Sequence, residues 1–259
     1  MRCRISFKAN TAFTLVWNYQ YCFNMSMIKF MQYMYFKDLI SKEVDIYFKQ
    51  ITQSKLYCYS KLMHNNHSNI TVNKDGINNV QSCYFIFTTP FEFEDKNLLK
   101  EHFLNKKIFF TLDNQIVELL IVRIDFLEEQ QITNHFSCIS PIVVNEKDYF
   151  ESTNCVEYHP QYSNELFNSQ IKKDLLEKYQ QLNNVEYDSD FDFDFSFDND
   201  YLVRKKNKIS KLITFESRKF KAYEAPFTIS APEEIIKTAY ICGIGNNNHI
   251  GFGCIEAVK

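Results

Sequence analysis

Glycine is nearly absent from this chain, and where it occurs it is crowded into one place. Of five glycines in 259 residues, four (Gly243, Gly245, Gly251 and Gly253) lie in the stretch Tyr240-Ile-Cys-Gly-Ile-Gly-Asn-Asn-Asn-His-Ile-Gly-Phe-Gly-Cys254. A fold so poor in glycine concentrates there the two geometries that favour the residue, positive φ and close approach of one backbone to another. That loop is the best lead to function.

The chain as a whole has ample material for a core, being 45% hydrophobic and 16% aromatic, which is enough for one large or two small domains. Its formal net charge of -3 and pI of about 6.1 do not by themselves point to a nucleic-acid binder, so any basic surface has to be local. Eight cysteines form no C-x-x-C pair and mostly lie in apolar runs such as Ser82-Cys-Tyr-Phe-Ile-Phe87. Cysteines in that setting act as small buried hydrophobes, and the expected compartment is a reducing cytoplasm. The apolar N-terminal stretch is broken by Asn10, Asn18, Gln20, Asn24 and Lys29, so neither a signal peptide nor a membrane span is expected, and no membrane partner.

Periodicity supplies the fold class. Residues 1–9 alternate as a strand and 11–21 continue extended. Asn24 or Ser26 then caps a helix whose stripe is Met27, Phe30, Met31 and Met34, running to about Leu39. Residues 55–63 and 81–89 read as strands of a hairpin, 92–106 as a helix, and 107–112 with 115–127 again as strand. The order is β-α-β-β-α-β. After a polar break at 128–134 it recurs, with a strand at 136–144, a helix at 164–182, strands at 191–197 and 209–229, a helix at 232–242 and a last strand at 252–258. The expected class is α+β, two tandem ferredoxin-like domains over residues 1–130 and 131–259, the glycine loop being the last helix-to-strand turn. Gly243 is placed to end that helix in left-handed conformation.

Charge is uneven in the second half. Residues 187–201 alternate acids with Phe191, Phe193, Phe195 and Phe197; the aromatic face reads as core and the acidic one as solvated, since carboxylates along one strand do not converge on a cation. Residues 204–221 then carry eight basic side chains, among them Arg204, Lys205 and Lys206, against Glu216 alone. Such a block suits either phosphate contact or a merely solvated hairpin. The six histidines lack zinc-site spacing, so no metal or other cofactor is expected, and Walker, G-x-S-x-G and G-x-G-x-x-G elements in their required contexts are absent.

Taken in order, Lys55-Leu-Tyr-Cys-Tyr-Ser60, Ser140-Pro-Ile-Val-Val144, Ala231-Pro-Glu-Glu-Ile-Ile-Lys-Thr-Ala-Tyr240 and Gly243-Ile-Gly-(x5)-Gly-Phe-Gly253 resemble the CRISPR repeat-processing endoribonucleases of the RAMP superfamily. The resemblance implies tandem ferredoxin-like domains and binding of repeat sequence in precursor CRISPR RNA. It also implies one metal-independent cut by 2′-hydroxyl attack, leaving 2′,3′-cyclic phosphate and 5′-hydroxyl ends. The glycine loop, with Asn246, Asn247, Asn248 and His249 at its tip, would approach the RNA, through backbone N–H groups as well as side chains.

Many members of that family use a Tyr on the first helix, a His shortly after it and a Lys opening the second strand. Here the lysine falls on Lys55, the Tyr position on Ile28, and no histidine occurs between Met1 and Met63. Three accounts stay open: a lysine-based site with Lys29, Lys42, Lys49 and Lys55; replacement of the base by His64 or His67; or a chain that binds without cutting, as a non-catalytic RAMP subunit with effector-complex partners. A homodimer is a further arrangement left open.

Overall fold

The structure is a computed structural model and describes residues 1–26, 42–64, 69–112, 115–128, 133–145, 155–160 and 162–258. The chain divides into two compact units. The first comprises Met1–Ser54, Lys61–Phe87 and Phe91–Glu128; the second comprises Lys55–Ser60, Thr88–Pro90 and Glu129–Lys259.

In the first unit a single strand, β1 (Arg2–Val16), replaces the two extended pieces expected. Residues 20–26 are helical, so Asn24 and Ser26 lie inside the helix rather than capping it, and the Ser26 hydroxyl donates back to the Cys22 carbonyl. The methionine stripe lies outside the described residues. A second helix, Lys42–Ser54, was not foreseen; its Val44, Tyr47 and Ile51, spaced along one face, are buried. After β2 (Cys58–Tyr59), which belongs to the second unit, the chain continues as β3 (Met63–His64), β4 (Thr71–Val72) and β5 (Gly76–Thr88). Then come a helix at Lys96–Phe103, β6 (Lys107–Leu112) and β7 (Gln115–Phe126). In this unit's sheet β5, β1, β7 and β6 are neighbours in that order, with β3 and β4 paired to β5. Its core is aromatic: Phe7 stacks on Phe85 with centroids 5.7 Å apart, and Phe23 meets Phe85 and Phe110 edge-on.

The second unit holds β8 (His135–Cys138), a helix at Glu165–Asn183, β9 (Asp194–Phe197), a helix at Asn199–Arg204, and the hairpin β10 (Ser210–Phe215) with β11 (Arg218–Tyr223). It ends with β12 (Phe227–Ser230), a helix at Glu233–Cys242 and β13 (Ile255–Ala257). The antiparallel sheet runs β13-β8-β12-β9, the ferredoxin-like arrangement in which last, first, third and second strands lie side by side. The fold is two ferredoxin-like domains in tandem, with β10–β11 inserted between the second and third strands of the second.

Several expected strands prove shorter, among them 252–258, which yields only Ile255–Ala257, and 55–63, which yields Cys58–Tyr59 and Met63–His64. β8 stops at Cys138 because Ser140 and Pro141 turn away to serve the glycine loop, leaving Ile142 in an isolated bridge to Tyr223. The alternating run forms strand only from Asp194, where Phe195 and Phe197 are buried while Phe191 and Phe193 pack at the core's edge. It ends at Asp198, whose carboxylate accepts from the Tyr201 N–H and starts the unforeseen Asn199–Arg204 helix.

Candidate functional site at the glycine loop

Three of the sequence motifs meet within the second unit. The loop leaves the Glu233–Cys242 helix at Gly243, makes a 3-10 turn at Asn248–Ile250, and enters β13. All four of its glycines have positive φ, at 87°, 69°, 97° and 65° in chain order. Gly243 does not adopt the left-handed helical conformation expected of it. With φ 87° and ψ 159° it occupies a region that glycine alone populates freely.

Contact explains the others. A Cβ on Gly253 would lie 1.9 Å from the Ile244 carbonyl oxygen, one on Gly245 2.4 Å from that of Val143, and one on Gly251 2.8 Å from the Tyr59 ring. The Lys55–Ser60 and Ser140–Val144 motifs are thus the surfaces against which the loop is folded.

Hydrogen bonds fix it there. The Ile244 N–H donates to Gly253 O, Asn246 N–H to Val143 O, Gly253 N–H to Pro141 O and Gly251 N–H to Asn248 O, at 2.7 to 2.9 Å. Asn248, buried, donates its amide to the carbonyls of both Ile244 and Phe252. Asn246 accepts from the Asn145 N–H at 2.7 Å and donates to Asp174. Asn247 is buried in left-handed conformation, and its Nδ2 has no hydrogen-bond partner among the described residues.

Beneath the loop, Lys178 donates to the Gly243 and Gly245 carbonyls, at 3.0 and 2.8 Å, and to the Asp174 carboxylate. Burial pushes the Asp174 carboxyl up to about 6, with the Lys178 ammonium pulling it back. The sequence reading missed this pair. Its signal was present as an Asp and a Lys four apart, interleaved with the buried Ile171 and Leu175 of the same helix.

Lys55 follows directly on the Lys42–Ser54 helix, exposed and in left-handed conformation with φ 58°. The Tyr57 ring meets the His249 ring edge-on with centroids 6.2 Å apart. Burial, and then the charge of Lys55, lower the His249 imidazole to about 3, and burial raises the Tyr57 hydroxyl to about 12. At neutral pH the imidazole is uncharged and the phenol protonated.

The remaining predicted residues are placed elsewhere. Lys42 and Lys49 are exposed on their helix in the first unit, Lys49 paired with Asp45 at 2.8 Å. His64 ends β3 in that unit, its Nδ1 buried without a hydrogen bond among the described residues. Lys29 and His67 lie outside the described residues. Arg204, Lys205 and Lys206 are exposed at and just beyond the end of the Asn199–Arg204 helix, Lys206 in left-handed conformation. They precede the β10–β11 hairpin rather than belonging to it. Among the described residues no group of three or more His, Cys, Asp or Glu is disposed to hold a metal. Likewise, no described helix is long and apolar enough to cross a membrane.

Comparison with known proteins agrees with this geometry. The chain is similar over its full length to three solved structures. One described as CRISPR associated protein Cas6 gives 20% identity, covers 99% of that chain and has a TM-score of 0.73. The product of a Cas6-related gene from Pyrococcus furiosus gives 17%, 98% and 0.71, and an RAMP protein binding different RNA substrates 17%, 100% and 0.71. These likenesses bear on the fold. No curated protein matches the chain by sequence. The model of the CRISPR associated protein Cas6 C-terminal region matches residues 127–257, half of the chain and the whole of the glycine loop, and on that match the chain belongs to the Cas6 family.

Proposed function

We propose that this protein binds the repeat of precursor CRISPR RNA and cuts it once, without a metal ion. The observation that carries the proposal is the meeting of three of the four resemblance motifs at the hydrogen-bonded glycine loop, with Lys55 exposed beside it. Most loop amides are spent on the loop itself and Asn247, Asn248 and His249 are buried, so RNA contact falls largely to the half-buried Asn246, to remaining backbone N–H groups, and to the exposed Arg204, Lys205 and Lys206. In the reaction the 2′-hydroxyl beside the scissile bond attacks phosphorus, and a cyclic phosphate and a free 5′-hydroxyl result. Lys55 supplies the cation that stabilises the phosphorane. Lys42 and Lys49 add positive charge to the first unit, available to the RNA backbone.

A second reading, a subunit that binds RNA without cutting it, is favoured by one specific observation: the chain has no histidine before His64. Incubating the protein with its repeat RNA in EDTA separates the two. A single cut abolished by one 2′-deoxy substitution supports the nuclease, and tight binding with no product supports the binding subunit.

A further inference from the structure

We propose that Tyr57 and His249 act with Lys55 as the catalytic residues of this site, a phenol and an imidazole brought to the lysine from places other than those the family commonly uses. The inference rests on the cleavage reading above and adds to it the identity of the acid and the base.

The chemistry needs a proton acceptor, a proton donor and a cation, and the N-terminal segment lacks the usual acceptor because it has no histidine. The fold brings another. Tyr57 and Tyr59, two residues apart, lie against His249 and Gly251, two residues apart in the loop. The absence of a Cβ at Gly251 is what lets the Tyr59 ring lie so close, and this sets the register that puts His249 against Tyr57. Lys55 is near enough for its charge to act on the His249 ring. The three grade inward from solvent, with Lys55 exposed, Tyr57 half-buried and His249 keeping 9% of its surface. Lys55 also occupies a backbone conformation in which glycine or asparagine is the usual occupant. Strain of this kind at a helix end, on the one lysine that the family motif carries over, fits a side chain held for a task.

Protonation states suit the roles. The neutral imidazole is the accepting form and the protonated phenol the donating form. The phosphodiester brings negative charge to His249 and raises its affinity for a proton. His249 takes the 2′-hydroxyl proton while the 2′-oxygen forms its bond to phosphorus, and Lys55 faces the charge that builds on the non-bridging oxygens. The bond from phosphorus to the 5′-oxygen breaks, and that oxygen leaves with its electron pair and receives the Tyr57 proton. Transfer of the proton from His249 to the Tyr57 oxygen restores both groups, so no water, metal or oxidant enters the balance.

The test is single-turnover cleavage of repeat RNA in EDTA, with binding measured in parallel. Tyr57→Phe, which keeps the ring, should cut an ordinary phosphodiester about 100-fold or more slowly. It should recover on RNA bearing a bridging 5′-sulfur at the cut, because a thiolate leaves without a proton. His249→Gln should be slow on both substrates at saturating protein, and Tyr57→Phe should bind RNA as the parent does. Either variant cutting at the parent rate overturns the assignment and leaves the nuclease reading standing. A Tyr57→Phe protein equally slow on both substrates overturns the role of Tyr57 as acid. A parent protein that binds and never cuts overturns the assignment and the nuclease reading together.

Discussion

The carbonyl of Ile244 leaves no room for a side chain at residue 253. Gly253→Ala places a methyl 1.9 Å from that backbone oxygen at φ 65°, whereas Gly251→Ala meets the Tyr59 ring, which can tilt, at 2.8 Å. Left-handed strain and overpacking together should cost Gly253→Ala roughly 2–5 kcal/mol, and Gly251→Ala should cost less. Urea unfolding of the two variants checks the order, and equal losses would show that ring and backbone yield alike. The glycines were legible in the sequence because nothing else in it explains them. What sequence left hidden is that other left-handed positions exist. Of the eight non-glycine residues with positive φ among the described residues, five are asparagines (Asn79, Asn105, Asn184, Asn207 and Asn247). Asparagine tolerates that conformation through its short polar side chain and does glycine's work elsewhere in this chain.

Among the elements, the Glu165–Asn183 helix does more than cover the sheet, because Asp174 and Lys178 reach from it to the loop. The raised carboxyl of Asp174 has a consequence with a definite sign. Between the ordinary value of 3.8 and about 6, the folded chain holds a proton that the unfolded chain has already lost, so stability falls as pH rises through that window and is level above it. Asp174→Asn should remove the fall, which amounts to at most about 3 kcal/mol, and urea midpoints of parent and variant from pH 4 to 7 should converge at the acid end. Parallel profiles would mean that the carboxylate is solvated. Periodicity found this helix, its partner at Glu233–Cys242 and the sheet order that follows from them. It missed Lys42–Ser54, which fell between an expected helix ending near Leu39 and an expected strand opening at Lys55, and Asn199–Arg204, whose Asp198 cap lay inside an alternation that read as strand. Local capping chemistry overrode the period-two pattern there.

For the whole molecule, a net charge of -3 means that the proposed binding of RNA depends on local positive surface. Replacing Arg204, Lys205 and Lys206 together by alanine should lower the slope of log binding constant against log salt by about 2, if each meets one phosphate of a single strand. An unchanged slope would remove this patch from the RNA path. The tandem architecture was readable from the repeated β-α-β-β-α-β order. The β10–β11 hairpin was open as one of two readings of the basic block, but its place as an insertion was not, because an insertion between two strands of a sheet has no period of its own. The site was legible only in part. The loop and Lys55 came from motif and spacing, while Tyr57 and His249 come together through contacts between residues about 190 positions apart, which no local pattern records.

The second unit is not one continuous piece of sequence, since it borrows Lys55–Ser60 and Thr88–Pro90. A fragment of residues 129–259 would contain every strand of the second sheet and yet lack Cys58 and Tyr59, against which Gly243 and Gly251 lie. It would also lack Thr88, whose hydroxyl donates to the Ile241 carbonyl at the end of the last helix. Such a fragment should bind hydrophobic dye and show a disordered loop by hydrogen exchange, and protection equal to that of the intact chain would argue against it. Recombination between relatives follows the same logic: a crossover near residue 128 pairs one parent's loop with the other parent's floor, so the two halves of the gene are not interchangeable modules, and residues 55–60 have to travel with the glycines they support.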